Sequence, residues 1–445
     1  MQRRAEVFVV AALVAVVAVA LIATRPRNVF WGPDSGNHFI QLRTVLRSGG
    51  FAIDDAPRAA HHFVPYGHHV YSFYSPAFPV ATAPFFILFG DLGLFVLPLA
   101  GTLTIVILLS RLLDHDYIPM TIAAIFATPL LWYTLVFWEH TLAVALALGA
   151  YVLVTRERTV LGGFVAALGV VFREEGYVMI ASVAIALLLT RRRVLPFVGG
   201  ALIALAPLWL INWMTFGHPL GLHAKVYASL GSVQLSNWWV YLFEFTRIPF
   251  TMRDTLYTQG FFPAVPLACG IVFVLRRDLL IVTIAAGVLL TPLALNQADF
   301  GIIWGPRHFL WLIPMIVVAV APALRRSRTT AAITLLLIIA GIALQIDGIR
   351  LLRTKLQFSA ELLKAATSIR KPIISDVFWI PEDLATSRVQ LVTRDDELPL
   401  SPIVFIGARE NRVIAARPLA GRIIRRIHVS CGSDPMLDAM VLDCR

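Results

Sequence analysis

An aspartate and a histidine stand four residues apart in Trp31-Gly32-Pro33-Asp34-Ser35-Gly36-Asn37-His38. Proline suits the first turn of a helix, so this segment predicts a short helix over residues 34–43. Asp34 and His38 then share one helix face. A carboxylate placed there could take a proton from an acceptor hydroxyl. The alternative interpretation is that Asp34 only caps the helix, which is a common use of an aspartate at a helix start.

Other ionisable side chains lie at the ends of long apolar runs rather than inside them. They are Glu139, His140, Arg173, Glu174, Glu175, Arg307 and His308. A guanidinium at such a position could hold a phosphate in bidentate geometry, or it could be an interfacial anchor paired with its neighbours. A ring of charge at one end of a helical bundle suggests a site at the membrane–water interface, for a ligand with an anionic head and an apolar tail. The candidate binding residues are His38, Glu139, His140, Arg173, Glu174, Arg307 and His308.

Four histidines in one loop raise the question of a metal site. His61, His62, His68 and His69 form adjacent pairs, not pairs three or four residues apart, so no zinc-ligand spacing emerges. The sequence therefore indicates no cofactor, and a divalent metal stays an open alternative that no motif supports.

The composition indicates a membrane protein. Of the 445 residues, 58% are hydrophobic and only 15% are charged, so the chain lacks the charged coat of a soluble domain. The net charge of +11 comes largely from arginines at the ends of apolar runs, which is the pattern of membrane-flanking residues. We therefore expect membrane lipids as partners and no nucleic acid.

Apolar runs, several of them shorter than the roughly 20 residues that a bilayer requires, predict about eleven transmembrane helices. They cover residues 7–23, 92–110, 118–137, 141–154, 160–172, 177–190, 194–213, 257–275, 279–295, 308–324 and 329–346. We interpret the first run as an uncleaved signal anchor rather than a cleaved signal peptide. Residues 74–90 are apolar but contain three prolines, and they predict a helix lying on the membrane surface.

The distribution of arginines predicts the orientation of these helices. With Arg3 and Arg4 inside, the arginine-rich short connections fall on the cytoplasmic side, as the positive-inside rule requires. Residues 25–91 and 214–256 are then long outer loops, and residues 347–445 form an outer tail. A helical pattern followed by strand-like runs at 372–377, 389–393 and 402–407 predicts a small α/β domain in that tail. The fold class is thus an all-α polytopic membrane protein of the cell membrane, divided into a transmembrane domain 1–346 and an extracytoplasmic α/β tail.

Four segments resemble motifs of the GT-C superfamily of polyprenyl-phosphate-sugar-dependent membrane glycosyltransferases. This superfamily includes protein O-mannosyltransferases and 4-amino-arabinose lipid A transferases. The segments are Tyr74-Ser75-Pro76-Ala77-Phe78-Pro79, Phe172-Arg173-Glu174-Glu175-Gly176, Phe216-Gly217-His218-Pro219-Leu220 and Gly305-Pro306-Arg307-His308-Phe309-Leu310. The resemblance covers about residues 1–346 and rests on the order of the motifs and on their common side of the membrane.

The resemblance implies an inverting transfer of a sugar from a polyprenyl-phosphate donor to a cell-envelope acceptor, which could be a lipid, a glycan or a protein. Asp34 would be the catalytic base, and Arg173 and Arg307 would stabilise the departing phosphate. Glu139 and His140 would line the cavity. Many protein-mannosyltransferase-like members have Asp-Glu in the first outer loop, whereas this chain has Asp34-Ser35, which argues against a protein acceptor.

Two other classes of function fit some of the same features. A transporter or flippase of lipid-linked substrates would also span the membrane many times, but it needs ionisable groups or broken helices near the midplane. The eleven predicted spans contain no Asp, Glu, Lys or Arg in their interiors. A non-catalytic envelope scaffold would need neither a base nor a path across the membrane.

Overall fold

The computed structural model describes residues 2–53, 63–72, 74–113, 117–228, 242–243, 260–273, 278–294, 304–375, 380, 384, 389–391, 403–408, 423–430 and 438–444. These residues form two compact units. The first, which we call the membrane unit, holds the described residues of Met1–Ile22, Phe95–Ile248 and Tyr257–Gly348. The second unit holds those of Ala23–Leu94 and Ile349–Arg445. The predicted separation of a domain 1–346 from a tail 347–445 stays a prediction.

Most of the described chain is helical. The α-helices are α1 (Gln2–Ala23), α2 (Pro33–Ser48), α3 (Ala77–Phe89), α4 (Val96–Leu109), α5 (Tyr117–Phe126), α6 (Leu130–Thr134), α7 (His140–Thr155), α8 (Thr159–Phe172), α9 (Glu175–Leu189), α10 (Leu195–Phe216), α11 (Gly221–Ala228), α12 (Phe261–Ala264), α13 (Leu279–Ala294), α14 (Ile313–Val320), α15 (Ala323–Arg326) and α16 (Arg328–Thr367). Short 3-10 helices cover Gly90–Phe95, Pro266–Phe273 and Arg307–Leu312.

Proline and glycine set several of these boundaries. Helix α2 begins at Pro33 and ends at Ser48, before Gly49, whose φ of 69° is left-handed and suits glycine. The predicted span 118–137 is two helices, α5 and α6, because Pro129 lies between them and cannot continue the hydrogen-bonded helix of the preceding residues.

In the membrane unit, α8 packs against both α7 and α10, while α9 packs against α13. Gly163 of α8 and Gly200 of α10 allow a close approach, since a Cβ atom on either would overlap a backbone carbonyl of the other helix. Small residues of this kind let membrane helices pack backbone to backbone. The packing brings the first residues of α7 and α9 near the end of α8.

Five helical stretches are long and apolar enough to cross a membrane. They are Gln2–Ala23, Ala77–Leu109, Leu195–Phe216, Arg307–Arg326 and Arg328–Thr367. Shorter apolar helices include α5, α7, α8, α9 and the larger part of α13. The chain is an integral membrane protein, as the composition predicts. The count of eleven spans stays a prediction.

The second unit contains helical and strand elements. Helix α2 packs against α3, and β1 (Phe63–Tyr66) pairs with β2 (His69–Ser72) in a hairpin. A five-stranded sheet has the order β4-β3-β5-β7-β6. Its strands are β3 (Ile373–Ser375), β4 (Val389–Leu391), β5 (Ile403–Ala408), β6 (Ile423–Ser430) and β7 (Asp438–Cys444).

Strand β3 is parallel to β4 and β5, and β7 is antiparallel to β5 and β6. The first three strands of this sheet lie where the sequence predicts strand-like runs. The proposed status of the tail as a separate α/β domain stays a prediction, as does the surface position of α3. Most of the predicted outer loop 214–256, together with His61 and His62, lies outside the described residues.

Candidate functional site

Arg173 lies at the centre of a buried ion cluster in the membrane unit. It directly follows α8, and its backbone N–H donates to the Gly169 carbonyl at the end of that helix. Guanidinium Nη1 donates to Glu139 Oε1 at 3.0 Å, and Nε donates to Glu175 Oε2 at 2.9 Å. Nη2 donates to Glu175 Oε1. Because Glu139 precedes α7 and Glu175 begins α9, one arginine joins the starts of two helices to the end of a third.

The cluster extends to the 3-10 helix Arg307–Leu312. His308 Nδ1 is hydrogen-bonded to Glu175 Oε1, and Arg307 Nε donates to His308 Nε2 at 3.2 Å. Since Nε2 accepts a hydrogen bond, a neutral His308 carries its proton on Nδ1 and donates it to the carboxylate. Two arginines and two glutamates therefore form this cluster, and their formal charges cancel.

Arg173 stays protonated in this setting. Burial alone would lower the pKa of its guanidinium, but the carboxylates of Glu175 and Glu139 outweigh burial and raise that pKa well above its ordinary value. The positive charge is needed because a buried carboxylate without a partner is costly.

A pocket with an empty volume of about 410 Å³, part of which is open to the surroundings, lies beside the cluster. The ionisable side chains that line the pocket are those of His140, Arg173, Glu175, Arg307 and His308. The rest of its lining comprises Ala143, Val144, Ala147, Ala166, Gly169, Gly176, Met179, Leu310 and Trp311. The pocket thus combines an apolar wall with a few polar groups, as ligand sites usually do.

Glu174 has a different partner from its neighbour Glu175. Its Oε2 atom lies 2.6 Å from His223 Nδ1 on α11, and its side chain is 42% exposed. The sequence predicts Glu174 as a binding residue, but the glutamate that lines the pocket is Glu175. The choice between the two glutamates depends on the residue at which α9 begins, and no local signal in the sequence marks that residue.

The second unit holds the two residues that the sequence places on one face of α2. Gly32, not Asp34, occupies the N-cap position, and Asp34 lies in the first turn. The Asp34 side chain is buried, and the Tyr74 hydroxyl donates to its Oδ1 atom at 2.7 Å. The His38 ring centre is 5.3 Å from that of Tyr74, and His38 Nδ1 is 3.2 Å from Gln41 Oε1. The motif that contains Tyr74 does not reveal this hydrogen bond from the Tyr74 hydroxyl to Asp34.

The structure therefore gathers five of the predicted site residues around the membrane-unit pocket. They are Glu139, His140, Arg173, Arg307 and His308. Asp34 and His38 lie together in the second unit. Glu175 and Trp311 complete the pocket lining and were not among the predicted binding residues.

The sequence matches no protein-family model and no curated protein. Two solved structures are similar to almost the whole chain. The crystal structure of ArnT from Cupriavidus metallidurans bound to undecaprenyl phosphate has 12% identity and a TM-score of 0.57, over 98% of this chain and 97% of that chain. The crystal structure of the same ArnT in the apo state has 13% identity and a TM-score of 0.57, over 99% and 98% of the two chains.

At this level of identity the likeness establishes the fold alone. The expected resemblance is confirmed at the level of the fold. The protein has the fold of ArnT over nearly its whole length.

Proposed function

We propose that this protein is an integral membrane glycosyltransferase that moves a sugar, with inversion, from a polyprenyl-phosphate donor to a cell-envelope acceptor. The observation that carries the proposal is the fold of ArnT, which the chain shares over 98% of its length. The ArnT crystal structure used in this comparison is bound to undecaprenyl phosphate. The buried polar clusters add support, since both units bury ionisable groups and such groups cluster at functional sites. The acceptor is a lipid, a glycan or a protein.

We assign Asp34 as the catalytic base. Asp34 is 7% exposed and its carboxylate accepts a hydrogen bond from Tyr74, so the carboxylate is held in one orientation. In the proposed reaction, an acceptor hydroxyl oxygen bonds to the anomeric carbon while the bond from that carbon to the phosphate oxygen breaks. The hydroxyl proton passes to Asp34, and polyprenyl phosphate leaves.

The two arginines take different roles in this proposal. Three nitrogens of Arg173 donate to Glu139 and Glu175, which supports a role in organising the site. Arg307 lines the same pocket and is the better candidate to stabilise negative charge on the departing phosphate. His38 and Glu174 keep the substrate- or phosphate-binding role that the sequence predicts for them.

We further propose the topology that the arginine distribution predicts, with about eleven spans, a cytoplasmic N-terminus and an extracytoplasmic α/β tail in the cell membrane. A reporter fused at Arg445 tests it. Activity of a reporter that works only outside the cytoplasm is expected, and activity of a reporter that works only in the cytoplasm would contradict the topology.

Transfer of radiolabelled sugar from a panel of polyprenyl-phosphate donors tests the proposed function, with membranes that carry the wild type, Asp34→Asn or Asp278→Asn. Asp278 is an exposed residue whose Oδ1 atom accepts from the Ile281 N–H, and asparagine caps a helix equally well. We expect the wild type and Asp278→Asn to transfer sugar equally. Loss of a general base lowers the rate by about 10²–10⁴-fold, which is the effect expected for Asp34→Asn.

Equal transfer by Asp34→Asn and the wild type would remove Asp34 as the base. No transfer by the wild type from any donor in the panel would overturn the glycosyltransferase proposal. A transport assay with the same labelled lipids in vesicles would then separate a flippase, which moves the label between leaflets, from a scaffold, which does not.

A further inference from the structure

Two short turns of the membrane unit are rich in arginine. One turn joins α7 to α8 and the other joins α9 to α10. Their arginines, which we call the arginine surface, are Arg156, Arg158, Arg191, Arg192 and Arg193. The only acidic residue in these two turns of the sequence is Glu157, so five positive charges and one negative charge leave a formal net charge of +4.

The packing of α8 against α10 brings the two turns together. A Cβ atom on Gly163 would overlap the Phe197 carbonyl, and one on Gly200 would overlap the Val160 carbonyl. All four residues lie in the first two turns of their helices, so the starts of α8 and α10 are in contact. The chain segments that lead into these two helices therefore lie side by side.

The arginine surface and the ion cluster lie at opposite ends of α8. The helix begins one residue after Arg158 and ends one residue before Arg173. Its 14 residues span about 21 Å at the usual rise of 1.5 Å per residue. Any ligand of the arginine surface is therefore separate from the site proposed for sugar transfer.

The five guanidinium groups are available to a ligand. All five arginines are exposed, and none forms an ion pair or a side-chain hydrogen bond with a residue that the structure describes. Arg173, by contrast, is buried against two carboxylates. The backbone of the two turns is held in place, since the Arg158 N–H donates to the Leu153 carbonyl at 2.9 Å and the Arg192 N–H donates to the Leu187 carbonyl at 2.7 Å.

The ends of the four helices do not neutralise this charge. Helices α7 and α9 end at the two turns, and basic residues complement the partial negative charge of a helix C-terminus. Helices α8 and α10 begin there, and their N-termini carry a partial positive charge of similar size. The four ends offset one another, so the net charge of the side chains is left for an external anion.

Large apolar side chains are exposed directly beside the arginines. Val160 and Leu161 at the start of α8 are 50% and 45% exposed, and Leu189 at the end of α9 and Leu195 at the start of α10 are 69% and 79% exposed. A soluble anion would leave these side chains in water. An anionic lipid covers both kinds of surface, because its phosphate and its acyl chains meet at the membrane interface.

We propose that the arginine surface binds the phosphate groups of anionic phospholipids, whose acyl chains lie against the exposed valine and leucines. Guanidinium groups match phosphate oxygens in bidentate geometry. Clusters of four to eight basic residues next to a membrane helix recognise anionic lipids. The inference does not depend on the proposed sugar transfer, and it assigns a second lipid contact at the other end of α8.

The test measures the retention of radiolabelled phosphatidylglycerol by the purified full-length protein, in micelles that also contain phosphatidylcholine as the competitor. One variant changes Arg191, Arg192 and Arg193 to glutamine, and a second changes the same three residues to lysine. A third variant, Arg156→Gln/Arg158→Gln, removes charge from the other turn and gives an independent result. Micelles have no inside and outside, so an altered orientation in the cell membrane does not affect the measurement.

The control variant is Arg353→Gln/Lys364→Gln/Arg370→Gln. It removes the same number of positive charges from exposed positions of the second unit. Glycerol phosphate is added in a separate series, because it carries the phosphate of the lipid headgroup without acyl chains. The thermal midpoint of each variant is measured without added lipid.

We expect the wild type and the control variant to retain phosphatidylglycerol in preference to phosphatidylcholine, with preferences that agree within about twofold. The glutamine variant of the α9–α10 turn loses about tenfold or more of the preference, and Arg156→Gln/Arg158→Gln loses a smaller part. The lysine variant keeps most of it, because the charge remains. The preference of the wild type falls between 0.05 and 0.5 M salt, since salt screens exposed charges. Thermal midpoints without lipid stay close to that of the wild type.

Three results would overturn the inference. An unchanged preference in both glutamine variants would show that the arginine surface does not bind this lipid, and would leave an acidic protein as the candidate partner. An equal loss in the control variant would show that retention follows total charge. Displacement of the lipid by glycerol phosphate at the same concentration would indicate a site for soluble anions. The assay requires no sugar transfer, so failure of the proposed function does not alter its result.

Discussion

The Tyr74 hydroxyl donates to Asp34 Oδ1 at 2.7 Å, across 40 residues of sequence. The same tyrosine is also held through its backbone, since Gln41 Nε2 donates to the Tyr74 carbonyl at 3.0 Å. Asp34, His38 and Gln41 are spaced by four and three residues, so they form one stripe along α2. Tyr74 therefore contacts this helix face at both its hydroxyl and its carbonyl. The result is a carboxylate whose orientation depends on a residue just ahead of α3.

Tyr74→Phe should slow sugar transfer without weakening donor binding. A hydrogen bond to a charged group contributes about 1.5–3 kcal/mol, which corresponds to a loss of roughly 10–100-fold in kcat if the bond orients the base. Steady-state kinetics with a polyprenyl-phosphate sugar measure kcat and KM separately. The double variant Asp34→Asn/Tyr74→Phe should be no slower than Asp34→Asn alone, because both changes act on one group. Additive losses in the double variant would show that Tyr74 acts independently of Asp34.

Arg173→Met should strongly destabilise the protein. The substitution leaves the buried carboxylates of Glu139 and Glu175 without their shared cation, and breaking a buried ion pair in this way costs about 3–5 kcal/mol. Thermal unfolding in detergent should show a clear loss for this variant. Arg192→Met is the matched control at an exposed position, where surface substitutions stay within about 0.5 kcal/mol.

The triple variant Arg173→Met/Glu139→Gln/Glu175→Gln should recover much of that stability, because it removes the unpaired charges together with the arginine. A triple variant as unstable as Arg173→Met would mean that packing of the arginine side chain, rather than its charge, stabilises the three helix ends. The pH should have no effect through Arg173 itself, since its raised pKa keeps it charged throughout the range in which the protein is handled.

Glu174 and Glu175 show how far the candidate site can be predicted from the sequence. The apolar runs and the charged turns between them are visible in the sequence, and Arg173 stands out because it interrupts an apolar pattern. Adjacent helical residues point about 100° apart, so the choice between the two glutamates depends on the residue at which α9 begins. Helix boundaries are the least predictable feature of a sequence. An error of one residue in the predicted start of α9 therefore selects Glu174, which contacts His223, in place of Glu175, which lines the pocket.

Contacts between distant segments were harder to predict for a different reason. The segment that begins at Tyr74 is recognisable as a motif, but nothing local in it indicates a hydrogen bond to Asp34. In the tail, β6 carries Arg425 and Arg426 in its middle, which interrupts the apolar alternation that predicts strands. Its pairing with β7 provides the hydrogen bonds that the local pattern does not specify.

Lys355→Met should reduce sugar transfer more than it reduces stability. Lys355 is 1% exposed on α16, its Nζ atom donates to the Phe30 carbonyl at 3.0 Å, and it lies 5.9 Å from the Trp31 ring centre. Removing it frees the protein of a buried amino group but takes the donor from a carbonyl just ahead of α2, so the two effects on folding oppose each other. The loss of this donor also removes a contact that orients the segment leading into Asp34, and nothing in the substitution offsets that loss. We therefore expect sugar transfer to fall more than stability.

The measurement for Lys355 combines kcat with the thermal midpoint, and Lys364→Met is the control because Lys364 is exposed on the same helix. We expect kcat to fall about tenfold for Lys355→Met, with a change in stability below about 1 kcal/mol. Normal kcat in a stable Lys355→Met variant would show that the segment before α2 keeps its position without the lysine.

Gly199 and Gly200 should respond in opposite ways to the same substitution. A Cβ atom on Gly200 would overlap the Val160 carbonyl of α8, whereas a Cβ atom on Gly199 would meet no atom within 4 Å. Gly200→Ala should therefore destabilise the α8–α10 contact by about 1–3 kcal/mol, the usual cost of overpacking. Gly199→Ala should be neutral or stabilising by about 0.5–1 kcal/mol, because alanine favours the helix more than glycine does.

Thermal unfolding of the two variants measures the difference, and equal midpoints would mean that α8 and α10 do not approach each other backbone to backbone at this point. Because α8 ends at the residue before Arg173, we expect Gly200→Ala also to lower sugar transfer, through displacement of the ion cluster beside the pocket.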